Sequence, residues 1–333
     1  MYLIISLIVC VLTSFLFTLL AKKLRISVVI GLIFAGLIIG SPFFKDIILE
    51  PNTSFILSLG NIGIIFLMFF AGMETSWSML CKEKLDSIFV AFFAAITPFL
   101  LGFIVFYALG FSLLTSVTIA VCMSITAEAT TARVLLELKK LKTKMGSLMM
   151  GAGIIDDLIG IFLFAIISYF FTRSLSIKEP LLLISTIIAF FSGLFIHKYL
   201  GRKTHKIIYL EKILLIFIVP FFFISMGIYF NLHSLALNPL LLIGIVLIAI
   251  TGKIAGTFLT KPFTKLRWKQ LYLIGWAMNS RGAIELPIAF VAFKIGMLNT
   301  DIYSSLIVMA LVTTLIFPFF VRRIVRKSPN IMK

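Results

Sequence analysis

The chain has 333 residues, of which 61% are hydrophobic and only 13% are charged, and its formal net charge is +17. Soluble globular domains carry about 25% charged residues. Together with a mean hydropathy of +1.16, the composition excludes an ordinary soluble enzyme or binding module. It predicts a helical protein that crosses the membrane many times.

The apolar segments follow one another along the chain without an intervening linker or low-complexity stretch. Each approaches the roughly 20 residues that an α-helix needs to cross a bilayer core of about 30 Å. We therefore predict one all-α polytopic membrane domain over residues 1–333, with about eleven transmembrane helices. The predicted spans are residues 2–20, 26–41, 55–76, 87–109, 113–136, 146–171, 180–197, 211–230, 239–260, 270–293 and 302–321.

Basic residues concentrate in every second connection between the spans. With the N-terminus outside, the cytoplasmic connections include "KKLR" (22–25), "RKTHK" (202–206) and "RRIVRK" (322–327). The positive-inside rule then predicts a multi-pass protein of the cell membrane with a cytoplasmic C-terminus. Contact of these loops with anionic lipid accounts for the positive charge, so no nucleic-acid partner is expected.

Six charged residues fall inside predicted spans: Glu128, Asp156, Asp157, Lys253, Arg281 and Glu285. A charge at the bilayer centre costs about 2.5–3.5 kcal/mol on insertion scales, so six predict a function or a buried ion-pair network. Asp156 and Asp157 lie about 15 Å along their span, close to the midplane. Because helical neighbours point about 100° apart, we expect one to face a cation of the protein and the other a water-filled cavity.

Two spans are predicted to be interrupted. "MSITAEATTARVL" (123–135) places Thr126 and Glu128 in mid-membrane, and "AMNSRGAIELPIA" (277–289) contains Pro287, which removes a helix donor. Non-helical backbone at this depth is tolerated only where it lines a cavity or is buried in protein. These are the fifth and tenth spans, and broken helices at matching places in inverted halves are typical of a transporter's binding site. The alternative is that the hydroxyl residues simply pack helix interfaces.

Several segments, in order, resemble the monovalent cation:proton antiporter family, which includes bacterial and archaeal sodium/proton antiporters and potassium efflux proteins. The most specific is "GAGIIDDLIGIF" (151–162), which contains the paired aspartates. The others are "GLIFAGLIIGSPFF" (31–44), "GNIGIIFLMFFAGMETS" (60–76), "PFFFISMGIYFNL" (220–232), "TGKIAG" (251–256) and "NSRGAIELPIA" (279–289).

This resemblance implies electrogenic antiport of Na⁺ or K⁺ against H⁺ by alternating access, with no enzymatic activity and no cofactor. Asp157 would bind the cation and exchange protons, and Asp156 would pair with Lys253 until a cation releases it. Arg281 would lie at the crossed broken helices. Thr126 and Glu128 complete the expected cation and proton site, and Glu285 joins Lys253 and Arg281 as a coupling residue. Glu128 could supply a ligand or pair with Arg281, and the sequence leaves both open.

The resemblance also implies a mobile core, about residues 87–171 and 239–321, and a scaffold, about 2–76 and 211–230, that forms a homodimer in the bilayer. Family members usually have about thirteen spans. Here residues 198–210 directly join segments that a further helix pair normally separates. The fold is therefore expected to be a shortened inverted repeat with an intact core.

Two other functions fit the same fold. The first is a transport-inactive sensor or assembly subunit, which the shortened scaffold favours and the retained Asp156, Asp157 and Lys253 oppose. The second is a passive cation channel, whose flux would ignore an opposing proton gradient. The choice between Na⁺ and K⁺ stays open, because both are hard cations that accept carboxylate, hydroxyl and carbonyl oxygens.

Overall fold

The computed structural model describes residues 2–24, 26–50, 52–74, 85–172, 178–200, 213–282 and 284–332. Within these ranges every regular element is a helix, so the predicted all-α architecture is confirmed. The α-helices are α1 (Tyr2–Lys23), α2 (Val28–Ile39), α3 (Pro42–Phe44), α4 (Thr53–Glu74), α5 (Leu85–Ala108), α6 (Leu113–Ser124), α7 (Glu128–Glu137), α8 (Lys144–Thr172), α9 (Lys178–Leu200), α10 (Val219–Ile228), α11 (Leu232–Leu237), α12 (Pro239–Leu259), α13 (Trp268–Ala277), α14 (Glu285–Lys294) and α15 (Thr300–Lys327).

The helices form two compact units. The first unit comprises Met1–Thr75 and Pro180–His233, and the second comprises Ser76–Glu179 and Ser234–Lys333. Each unit is thus built from two separate stretches of chain.

In the first unit, glycines bring helix backbones into direct contact. A Cβ on Gly36 of α2 would lie 1.9 Å from the Phe223 carbonyl oxygen of α10. In the same way, a Cβ on Gly72 of α4 would lie 2.0 Å from the Phe190 carbonyl oxygen of α9. Small residues at such contacts are the usual means by which helices approach closely in membranes.

The stretch after α2 differs from the expected loop. Pro42 starts α3, which continues as a π-helical turn over Lys45–Leu49, and this pair is bent by 67° from α2. Ser41 is extended, as expected for a residue before proline, and this breaks the helix. The two charges Lys45 and Asp46 interrupt the apolar run and hide this helical turn from the sequence pattern.

The second unit contains the same arrangement twice. A long helix (α5 or α12) is followed by two short helices (α6 and α7, or α13 and α14) and then by a second long helix (α8 or α15). The breaks between the short helices are residues 125–127 and 278–284. Both predicted interrupted spans are therefore present.

The long helices α5 and α12 pack tightly against each other. A Cβ on Gly252 would lie 2.7 Å from the Cα atom of Pro98, and one on Gly256 would lie 2.3 Å from the Phe93 carbonyl oxygen. This close approach fixes the position of Lys253, which directly follows Gly252 in the sequence.

Six described helices are long and apolar enough to cross a membrane, or seven if α2 and the bent turn after it count as one. Three shorter apolar helices occupy Leu113–Ser124, Leu181–Ile196 and Ile213–Ile228. The halves of the interrupted spans have only 10 to 12 residues each. The total of eleven spans stays a prediction.

Candidate functional site

All six charged residues that the sequence places inside spans are buried in the second unit. Among the described residues they are the complete set of buried charged side chains: Glu128, Asp156, Asp157, Lys253, Arg281 and Glu285. Four are acids and two are bases, so the formal charges do not cancel. Charged side chains are tolerated inside a membrane protein when they pair with one another or serve a function.

Lys253 and Asp156 form a fully buried ion pair. The Lys253 Nζ atom donates to Asp156 Oδ1 at 3.0 Å and to Oδ2 at 2.9 Å, and both side chains have 0% exposure. This is the pair that the family resemblance implied. Such a pair is stable only because each partner compensates the desolvation of the other.

Thr126 connects this ion pair to the second break. Its hydroxyl accepts a hydrogen bond from Lys253 Nζ at 2.7 Å and donates to the Met278 carbonyl oxygen at 3.1 Å. The hydroxyl proton and one of the two oxygen lone pairs are therefore engaged. The positive charge of Lys253 at this distance opposes the binding of a second cation by Thr126.

Two glycines bring α8 against the first break. A Cβ on Gly153 would lie 2.9 Å from the Glu128 Cβ, and one on Gly160 would lie 2.3 Å from Ile125 Cγ1. At 100° per residue, Asp156 and Asp157 lie on opposite flanks of the line between these glycines. Asp156 meets Lys253 on one flank, and Asp157, 2% exposed, occupies the other.

Arg281 satisfies the backbone at the end of α6. Its Nη1 atom donates to the carbonyl oxygens of Cys122, at 3.3 Å, and of Ile125, and its Nη2 atom donates to that of Met123 at 2.6 Å. The last carbonyls of a helix have no partner within the helix and form the negative end of its dipole. A guanidinium, with five donors in a fixed plane, is suited to bind several of them at once.

Residues of the first interrupted span in turn donate hydrogen bonds to carbonyl oxygens at the end of α13 and in the second break. The Thr131 hydroxyl donates to the Ala277 carbonyl oxygen at 2.9 Å, and the Ala127 N–H donates to that of Ser280 at 2.8 Å. The two interruptions therefore supply each other's hydrogen bonds. This explains how non-helical backbone is tolerated at membrane depth.

Glu285 begins α14 and lies close to Arg281. Its Oε2 atom is 3.8 Å from Arg281 Nε, and among the described residues neither carboxylate oxygen has a hydrogen-bond partner. Glu128 likewise begins α7, so each interrupted span has an acid at the start of its second half. The positive end of the helix dipole stabilises an anion at this position.

The expected role of Pro287 in the second break was wrong. Pro287 is the third residue of α14, where its missing N–H would have no intrahelical acceptor, so the ring fits into the first turn. The break lies earlier, where Gly282 has a φ of 143°, a conformation that side chains rarely adopt.

Thr314 of α15 is a contact that the sequence did not indicate. The Arg281 backbone N–H donates to the Thr314 hydroxyl at 3.1 Å, and this hydroxyl donates to the Arg281 carbonyl oxygen at 3.0 Å. The pair "TT" at 313–314 is the signal in the sequence, and it is equally typical of helix packing.

One known protein family matches most of this chain. The transmembrane sodium/hydrogen exchanger model matches residues 11–209 and 184–327. The chain belongs to the sodium/hydrogen exchanger family. The two matches overlap over residues 184–209, which include most of the stretch where the sequence is expected to lack a helix pair.

Individual exchangers match over most of their length. The chain is 22% identical to the Na⁺/H⁺ antiporter of Enterococcus hirae, over 92% of this chain and 94% of that protein. It is 24% identical to the Na⁺/H⁺-K⁺ antiporter GerN of Bacillus cereus, over 87% and 88%. The sodium proton antiporter MjNhaP1 of Methanocaldococcus jannaschii has the same fold, with a TM-score of 0.68 at 16% identity, over 98% of this chain and 99% of that one.

The alignments also show that this chain is shorter than its relatives. The alignment with the Enterococcus hirae protein spans 364 positions. Since 92% of 333 residues is about 306, about 58 of these positions have no residue here. Two transmembrane helices with their connections need about this many residues.

The site offers oxygen ligands and no cluster typical of a resident transition metal. In the described part of the chain, no group of three or more His, Cys, Asp or Glu side chains could hold a metal ion. Carboxylate and hydroxyl oxygens are the ligands that hard cations prefer. The arrangement is therefore chemically suited to a cation that competes with Lys253 for a carboxylate.

Proposed function

We propose that this protein exchanges a monovalent cation, Na⁺ or K⁺, for protons across the cell membrane, and that Asp156 and Asp157 are the exchange site. Membership of the sodium/hydrogen exchanger family supports the proposal, as do relatives named as Na⁺/H⁺ and K⁺/H⁺ antiporters.

The observation that carries the proposal is the charge of the buried site. Four buried acids face two buried bases in one unit, which leaves two negative charges in excess when all six groups are ionised. An excess charge in a membrane interior is costly, so the site favours uptake of cations or protons. Two protons or two monovalent cations neutralise this excess, and competition of the two for the same charge is what cation–proton exchange requires.

The contacts support a role for each residue in the proposed cycle. A cation entering at Asp157 competes with the Lys253 ammonium for Asp156, and Thr126 becomes a ligand as Lys253 leaves. Protonation of the carboxylates releases the cation on the other side. Arg281 maintains the two breaks, while Glu128 and Glu285 contribute to the negative potential that attracts cations.

Flux measurements in proteoliposomes test this function. With a pH-sensitive dye inside, addition of external Na⁺, Li⁺ or K⁺ should make the lumen more alkaline as protons leave in exchange. Asp157→Asn liposomes provide the control. Cation uptake without proton movement under a clamped membrane potential would indicate a channel, and no flux of any kind would indicate the sensor or assembly subunit.

We also propose that the second unit is the mobile core and the first unit the scaffold. All six buried charges lie in the second unit. Alternating access requires the ion site to be exposed to the two sides in turn, while another part stays fixed.

The scaffold is proposed to form a homodimer through α1. Only 17% of the residues in the most apolar stretch of this helix are buried, the lowest share among the six long apolar helices described. In the shortened scaffold that the sequence predicts, a second protomer would complete the wall against which the core moves. Disulfide crosslinking of single cysteines, placed one at a time along residues 2–20 so that every helix face is sampled, tests this in native membranes. Crosslinks on one helical face are expected, and a monomer that still exchanges would contradict the dimer.

The N-terminus is proposed to lie outside and the C-terminus in the cytoplasm, following the positive-inside rule. Labelling of a cysteine at position 328 with a membrane-impermeant reagent tests this orientation. Labelling only after the membrane is permeabilised is expected, and labelling of intact cells would reverse the topology.

A further inference from the structure

Asn279, in the second break, has a fully buried amide with one unused oxygen. Its side chain is 0% exposed, and its Nδ2 atom donates to the carbonyl oxygens of Gly275 at 2.9 Å and Ile250 at 3.5 Å. These two acceptors fix which end of the amide carries the nitrogen. Among the described residues, Asn279 Oδ1 then has no hydrogen-bond partner. A buried acceptor of this kind costs free energy unless it serves a purpose.

The amide lies one helical turn from the attachment point of Lys253. On α12, Ile250 contacts Asn279, and Ile254 contacts Gly275, where a Cβ would lie 3.0 Å from the Ile254 Cα. Lys253 is three residues after Ile250 and shares its helix face. Helical side chains lean toward the N-terminus, so the Lys253 stem can reach the turn that Asn279 covers.

The proposed exchange leaves the Lys253 ammonium in need of a new acceptor. In the structure its donors are used by both oxygens of Asp156 and by Thr126. When a cation takes the Asp156 carboxylate, these bonds are lost inside a buried site. A displaced ammonium without acceptors would oppose cation binding by the full cost of its desolvation.

We infer that Asn279 Oδ1 accepts the Lys253 ammonium when a transported cation displaces it from Asp156. Asn279 is thus a positioning residue that acts on the cation through Lys253. The inference rests on the proposed function, because it assigns a second position to the lysine of that same site. It gives the unused oxygen a partner in the cation-bound state.

Cation binding to the purified protein provides the test. Na⁺ and K⁺ are titrated calorimetrically into wild type, Asn279→Ala, Lys253→Gln and the double variant. A lost hydrogen bond to a charged group should weaken apparent cation affinity about tenfold in Asn279→Ala. In the Lys253→Gln background the same substitution should change affinity less than about twofold, because no ammonium needs the acceptor.

A purely structural role predicts a different pattern. If Asn279 only holds α13 against Ile250 of α12, Asn279→Ala should weaken cation binding equally in wild type and in the Lys253→Gln background. This result would overturn the inference. Asn279→Asp adds a second readout on the unmodified Lys253 background, because it keeps an acceptor oxygen and loses both donors. Because the added carboxylate also attracts the cation directly, the same substitution is measured in the Lys253→Gln background. An affinity relative to Asn279→Ala that recovers more with Lys253 present than in Lys253→Gln supports the acceptor role, whereas equal recovery in both backgrounds, or a loss equal to that of Asn279→Ala, refutes it.

Failure of the proposed function would look different. A wild-type protein that binds neither Na⁺ nor K⁺ overturns the exchange site, and the inference with it. A wild-type protein that binds a cation, with unchanged affinity in Asn279→Ala, overturns the role of Asn279 alone.

Discussion

Arg281 and Lys253 are both fully buried cations of the second unit, yet different kinds of groups bind them. Arg281 donates to three backbone carbonyl oxygens of the first interrupted span. Among the described residues, Lys253 donates to side chains alone, the carboxylate of Asp156 and the hydroxyl of Thr126. A mobile ion cannot replace the first set of contacts without releasing the backbone, but it can compete for the second.

The difference matches the chemistry of the two side chains. A guanidinium is planar, always charged and suited to several fixed acceptors, while an ammonium is a compact charge on a flexible stem. One cation therefore maintains the architecture of the site and the other takes part in the proposed exchange. Substitutions that remove one of these cations at a time separate the two roles.

Arg281→Gln is expected to have the largest effect of these substitutions, a loss of folding stability. It removes donors from three carbonyls and leaves the Glu285 carboxylate without its cation, and breaking a buried ion pair costs about 3–5 kcal/mol. We expect a strongly reduced yield of monodisperse protein and a lower melting temperature in detergent. Arg281→Gln with Glu285→Gln should recover part of the stability. A single variant as stable as wild type would contradict the architectural role.

Asp157→Asn should abolish exchange while leaving the fold intact. The substitution removes a buried charge and keeps the size of the side chain, so the insertion cost falls and stability is kept or raised. Dye-based flux and a melting curve measure the two properties in one preparation. Coupled exchange at the wild-type rate would rule out the assignment of Asp157.

Lys253→Gln should weaken exchange or make it electroneutral, and it should also lower the melting temperature because the buried Asp156 carboxylate loses its cation. In the proposed cycle Lys253 is, beside Asp157, a second group whose partner or charge changes. Each net charge that transport moves across the membrane couples exchange to the membrane potential by about 2.3 kcal/mol per 100 mV. Exchange is measured at membrane potentials set by a thiocyanate gradient. Lys294→Gln, at the end of α14, is the matched control and should behave as wild type. Wild-type exchange that ignores the potential would refute the role of Lys253.

The smallest effect is expected for Thr126→Val. The isosteric change removes one acceptor of Lys253 and the donor to the Met278 carbonyl, which costs about 1–3 kcal/mol. Exchange should slow severalfold yet stay coupled to protons. Thr313→Val is a matched control, because its buried hydroxyl bonds within its own helix among the described residues. Equal effects of the two substitutions would remove Thr126 from the site.

Part of this site was predictable because charges are rare in membrane spans. The scarcity identified all six buried charged residues, and clusters of small and hydroxyl residues identified both interrupted spans. The pairing of Asp156 with Lys253 needed the family resemblance, since one sequence gives depth along a helix and no neighbours across it. Two charged residues predicted at the same depth in the membrane need not be paired with each other.

Other features were hidden because several structures share the same sequence pattern. Thr314 looks like any hydroxyl residue that packs a helix interface, and only the fold brings it to the Arg281 backbone. Pro287 looked like a helix breaker, but its place in the first turn of α14 makes it compatible with the helix. The turn over residues 42–49 was hidden by two charges.

Proton release on cation binding tests the central claim most directly. The purified protein is placed in a weakly buffered solution with a pH-sensitive dye, and Na⁺ or K⁺ is added as the chloride. If cations and protons compete for the buried carboxylates, wild type releases protons in proportion to the cation bound, and Asp157→Asn releases none. Cation binding without proton release from wild type would contradict the account.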